Sequence, residues 1–104
     1  MKMKKGLFYT RIGIVEDKDS VKEYRKEVRG FLLGNGVGVY RDKQTYRFID
    51  IASGLSFCTC PNKSDIEVTL KVFLPTLEEH RKKIIYELQC LMLDGLPEWK
   101  DEDK

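Results

Sequence analysis

Long apolar runs are missing from this chain of 104 residues, and no window approaches the roughly 20 residues that a membrane-spanning helix needs. No membrane partner is therefore expected. Cysteine is scarce and odd in number, at three, so the cysteines cannot all pair with one another. Charge of one sign is also lacking: nineteen Lys and Arg stand against seventeen Asp and Glu, a formal net charge of +2. So weak a field gives no general attraction to nucleic acid, and any such case must rest on local clustering. The basic start, MKMKKG, is not followed by a clean apolar stretch, because Thr10 and Arg11 interrupt it and no small-residue cleavage site follows. The expectation is a cytoplasmic protein with reduced thiols.

What is present is ionic surface around one modest core. Hydrophobic residues make up 41% and charged residues 35%, a composition of globular rather than disordered chains. The length suits a single domain over residues 1–104, with a frayed charged tail at 100–104.

The strongest local signal is the run Tyr46 to Cys60, which reads as a β-hairpin with two apolar faces. Ala52, Ser53 and Gly54 suit a three-residue loop with Gly54 in the left-handed region. That loop sets Ile51 opposite Leu55 and Ile49 opposite Phe57 on one side, with Phe48 opposite Cys58 and Tyr46 opposite Cys60 on the other. Both faces then need cover.

Upstream, Leu7 to Ile14 reads as a first strand with Phe8, Ile12 and Ile14 on one face. Ser20 with Glu23 forms a capping box, and Val21, Tyr24, Val28, Phe31 and Leu32 recur at helical spacing. A helix over Val21 to Leu33 is expected, stopped by Gly34, Asn35 and Gly36, with a second strand over Val37 to Arg41. Pairing Val39 with Tyr46 and Val37 with Phe48 extends the hairpin to a meander. Residues 64–74 are ambiguous. Ile66, Val68, Leu70 and Val72 alternate as in a strand, whereas Ile66, Leu70, Phe73 and Leu74 fit a helix ended by Pro75; β-branched content favours the strand. Thr76 with Glu79 caps a last helix carrying Leu77, Ile84, Leu88, Leu91 and Met92, ending near Leu93, with Asp94 and Gly95 at its C-terminus. The expected fold class is α+β, in order β-α-β-β-β-β-α: a mainly antiparallel four- or five-stranded sheet with two helices packed on one face.

No motif nominates a reaction. Gly34, Gly36 and Gly38 follow a helix and open a strand, the reverse of a phosphate-binding loop. Cys58, Cys60, Cys90 and His80 have the atoms for zinc, but their spacing is unlike the usual turn-bracketing pairs, so packed, unmetallated thiols are expected. His80 lacks an evident nucleophile or second acid and reads as part of a solvated helix face, as do Glu78, Glu79, Arg81, Lys82 and Lys83. No cofactor, metal or catalytic residue is expected.

The most suggestive polar cluster is Tyr40, Arg41, Lys43, Tyr46 and Arg47, two aromatics interleaved with three cations around one hairpin tip. Such a tip can anchor a protein interface, or grip phosphates while stacking a base. With both helices on one side, the face carrying Val37, Val39, Tyr46, Phe48 and Cys58 is expected to stay open and to mediate homodimerisation. The functional expectation is a small non-enzymatic interaction protein, of the kind viruses and mobile elements use as accessory factors against a larger host machine. The alternative is direct nucleic-acid binding through the basic, aromatic hairpin.

Overall fold

A computed structural model describes residues 3–88 and 96–99. Among the described residues the element order is five strands followed by one helix: β1 (Lys4–Asp17), β2 (Ser20–Gly34), β3 (Val37–Asp42), β4 (Thr45–Asp50), β5 (Leu55–Cys60), a short 3-10 turn (Lys63–Asp65) and α1 (Ile66–Leu88). The strands form one antiparallel meander in the order β1-β2-β3-β4-β5.

The expected helix over Val21 to Leu33 is instead the strand β2. Its partner decides the matter: β1 and β2 pair residue by residue from Lys4 opposite Leu32 to Asp17 opposite Ser20. Phe8 meets Val28 and Ile12 meets Tyr24 on one face of this ribbon, while Val15 meets Val21 on the other. The residues read as a helix stop make the β2–β3 hairpin turn. Asn35 and Gly36 have φ of 56° and 73°, as the two central residues of a tight hairpin turn require.

Ribbon and helix take opposite faces of the β3–β5 sheet. On one face α1 lays Ile66, Leu70 and Leu77 onto Val37, Val39, Phe48 and Cys60, with Phe31, Tyr46, Phe57, Cys58 and Leu74 packed around them. On the other, Phe8 and Val28 pack against Ile49, bordered by Leu32, Tyr40 and Ile51. The ribbon can cross this second face because small residues lie at the crossing. A Cβ on Gly38 would fall 2.7 Å from the Phe8 ring, and one on Gly30 would strike the Val39 carbonyl oxygen and come within 2.9 Å of the Tyr40 Cβ. The β2–β3 ladder runs only from Phe31 to Gly34, so the rest of β2 leaves β3 and carries β1 over the sheet. Across it, the Arg11 N–H donates to the Gly54 carbonyl at 2.7 Å and the Thr10 hydroxyl to the same oxygen at 3.3 Å.

The meander keeps part of its expected register. Phe48 opposes Cys58 and Tyr46 opposes Cys60, but a bulge after Phe48 sets Ile49 opposite Ser56 and Asp50 opposite Leu55. Phe57 consequently joins the α1 side, 6.0 Å from Phe48 between ring centroids. Gly54 is left-handed as expected, with φ of 73°. On β3, Val39 opposes Phe48 and Val37 opposes Asp50, a shift of two residues that preserves the face.

Residues 66–74 are helical and continuous with the last helix through Pro75, so the expected strand and the break at Pro75 are both replaced by one helix. The stripe Ile66, Leu70, Leu77 is buried while Pro75 is exposed, which puts the proline's missing N–H on the side away from the core. The expected helix end at Leu93, its cap at Asp94 and Gly95, and the tail at 100–104 lie outside the described residues.

Candidate interaction surfaces

The β3–β4 tip is built by Asp42, Lys43, Gln44 and Thr45, with Lys43 in the left-handed region at φ 59° and the Thr45 hydroxyl donating to the Asp42 carbonyl at 3.1 Å. Strand alternation sends its two tyrosines to opposite faces, and each packs inward. Tyr40 lies edge-on to Phe8 with ring centroids 6.3 Å apart, and burial followed by the nearby Asp42 charge pushes its phenol up from the ordinary value. Tyr46 packs at the margin of the α1 core. Arg47 pairs with Asp42 at 3.0 Å, and the Arg41 Nε donates to the Lys43 carbonyl at 3.3 Å. Arg41 and Lys43 are thus the exposed cations of this cluster, without an exposed aromatic platform between them.

Val37, Val39 and Phe48 are fully buried beneath α1, at 0% exposure. The expectation of an open face rested on helices covering the opposite side; α1 covers this one, and the β1–β2 ribbon covers the other. Cys58 also lies under α1, and burial, with the neighbouring Cys60, pushes its thiol up to about 11. Among the described residues no group of three or more His, Cys, Asp and Glu is placed to hold a metal ion. Cys90 and the His80 side chain lie outside the described residues.

Two surfaces went unrecognised in the sequence. Along α1, Val68 and Val72 are each 64% exposed and Phe73 37%. Their spacing runs Val68, Val72 and Thr76 down one line of the helix. This line borders a cleft of about 270 Å³ lined by Ser56, Phe57, Phe73, Thr76 and Leu77, where α1 passes over β5, the last strand of the sheet. On the outer face of the ribbon, the cross-strand pair Val15 and Val21 is 70% and 62% exposed next to the Lys18–Asp19 turn, and Leu7 is 56% exposed nearer its base. The helical spacing of Val68 and Val72 was visible, but a strand reading of the same residues hid it.

A third arrangement joins distant segments. Where β2 has left β3, Glu98 lies beside Arg25 in an isolated parallel β-bridge. The Arg25 N–H donates to the Pro97 carbonyl at 3.1 Å, and the Trp99 N–H donates to the Arg25 carbonyl at 3.0 Å. The Lys26 ammonium sits 5.3 Å from the centre of the Trp99 ring.

One buried ion pair locks the helix to the sheet. Arg81 donates to the Asp50 carboxylate from Nε at 3.1 Å and from Nη2 at 2.8 Å, and Nη2 also reaches the Gly36 carbonyl at 3.3 Å. Ser53 donates to the other Asp50 oxygen at 2.9 Å. This constellation is saturated by its own partners and explains Arg81 as a structural residue, not the solvated cation its sequence setting suggested.

Among the described residues no helix is long and apolar enough to cross a membrane. Comparison with protein-family models, curated proteins and solved structures finds no match.

Proposed function

We propose that this chain is a non-enzymatic interaction protein that engages a protein partner through the outer line of α1 and the cleft beside β5. The observation that supports this reading is the exposure of Val68 and Val72, 64% each, next to Phe73 and the Phe57-lined cleft. Exposed valines scattered singly are ordinary, but two on one helical line leading into a partly apolar cleft form a contiguous apolar patch of the kind that marks an interaction site. Helix-and-edge surfaces of this kind take either an amphipathic helix or an extended segment.

The β3–β4 tip is the weaker candidate for the same role. Its cations Arg41 and Lys43 suit a polar rim around an interface, while Tyr40 and Tyr46 are already engaged inside the fold. Nucleic-acid binding through this tip is less favoured, because stacking needs an aromatic face turned outward.

The test compares capture of partners from lysate by the parent chain, by Val68→Glu/Val72→Glu, and by Arg41→Ala/Lys43→Ala/Arg47→Ala, each with and without nuclease. The reading expects a nuclease-resistant protein that the valine variant captures at least about tenfold less, for more than about 1.4 kcal/mol of lost binding. Equal capture by the valine variant and loss by the cationic variant would move the site to the β3–β4 tip. Loss after nuclease, with a steep log-linear salt response, would favour nucleic acid.

A further inference from the structure

The segment Leu96 to Trp99 is bridged by the chain itself to a strand edge, and its placement singles out that edge. From Ser20 to Gly30, β2 has β1 on one side and no β3 pairing on the other, since the β2–β3 ladder begins at Phe31. Arg25 presents both its N–H and its carbonyl away from β1, and the C-terminal segment takes both through Pro97 and Trp99. In a parallel pairing, an incoming strand supplies one carbonyl and, two residues later, one N–H; proline serves well at the first position because only its carbonyl is used.

We propose that this stretch of β2 is a strand-acceptor site, that Leu96–Trp99 is a removable strap filling it, and that the strap gives way to an extended segment of a partner protein with the same chemistry: a residue such as proline that offers its carbonyl as acceptor, an acidic residue and an aromatic, running parallel to β2. The chemistry of the occupant is read from what is seated there. The aromatic lies against the Lys26 ammonium, and the middle residue, Glu98, is exposed and carries the charge opposite to the cations Arg25 and Lys26. Removal is favoured by how the strap is held. Among the described residues its backbone pairing is a single parallel bridge of two hydrogen bonds, each of small net worth, while docking orders four residues. A longer incoming strand satisfies the same two groups and can add further backbone bonds along β2. This site is separate from the α1 line, and the two proposals stand or fall independently.

Trp99 is the chain's single tryptophan, so its fluorescence reports the strap without a label. The experiment titrates the full chain with a synthetic peptide of residues 96–104 carrying Trp99→Phe, which competes for the edge but emits no tryptophan signal. The expected result is a saturable red shift of Trp99 emission toward that of free indole, not produced by a scrambled peptide. A variant checks the assignment: Glu98→Lys in the chain, with the peptide left acidic, sets a like charge against Arg25 and Lys26 in the strap alone and should lower the peptide concentration needed for half the shift at least threefold. Emission unchanged up to millimolar peptide, or an equal shift with the scrambled peptide, would overturn the proposal. Val68→Glu/Val72→Glu serves as control, leaving this titration unchanged whatever it does to partner capture.

Discussion

At the scale of single residues, Asp50 carries the largest local stake. Its side chain is 7% exposed, and Arg81, 30% exposed, is the cation that compensates it. Arg81→Ala leaves the carboxylate inside with Ser53 and should destabilise by roughly 2–3 kcal/mol, below the 3–5 kcal/mol of a fully buried pair because Arg81 keeps some contact with water. Urea unfolding measures it, and a loss under about 0.5 kcal/mol would make the pair an ordinary surface one. The thiols give a second residue-scale outcome. A Cys58 thiol pushed up to about 11 stays protonated at neutral pH, so alkylation at pH 8 should be far slower than for an unfolded cysteine. The folded value lies above the unfolded one, so the contribution is whole below about pH 9 and lost as pH rises toward 11; the raised Tyr40 phenol acts in the same direction. Melting temperature followed from pH 8 to 11 should fall, and Cys58→Ala should blunt that fall.

At the scale of elements, the sheet was more legible than the helices. Tyr46 to Cys60 showed its strand alternation and its left-handed Gly54 openly, and the pairs Phe48 with Cys58 and Tyr46 with Cys60 follow from them. Residues 21–33 misled for a physical reason: Val21, Tyr24, Val28, Phe31 and Leu32 fit a helical stripe, while the alternation of a ribbon is blurred when both of its faces mix apolar and charged groups. Asn35-Gly36 was the stronger clue, since that dipeptide between strands favours a tight hairpin turn, yet a helix C-terminus asks for the same left-handed backbone. Pro75 misled in the opposite sense, as a breaker in a helix that continues because its buried stripe outweighs one missing hydrogen bond. The strap on β2 had no local signature at all, because it joins Arg25 to Pro97 and Trp99 across most of the sequence. Gly30 is the position on which the ribbon's course depends. Gly30→Ala presses a methyl group into the Val39 carbonyl and Tyr40, and should cost about 1–3 kcal/mol as overpacking against backbone. A melting temperature equal to the parent's would mean that β2 does not pass so close to β3. Backbone chemical shifts over 21–33 should be those of a strand throughout.

At the scale of the whole molecule, an apolar sheet acquires two covers from its own chain. The helix α1 closes the face of Val37, Val39 and Phe48, and the β1–β2 ribbon closes the face of Ile49. Among the described residues, the large apolar side chains left exposed are Val68, Val72 and Phe73 on the helix and Leu7, Val15 and Val21 on the ribbon. The folding of this sheet within one chain is the claim on which the functional reading depends, and Phe48 tests it most directly. Phe48→Asp should abolish cooperative folding, because a charge at a site of 0% exposure costs on the order of 5 kcal/mol or more, comparable to the stability of a whole small domain. Circular dichroism and denaturant unfolding of this variant should therefore show loss of the native transition. A Phe48→Asp chain that stays folded and unfolds near the parent's midpoint, changed only in its state of association, would contradict the account and return this face to the surface.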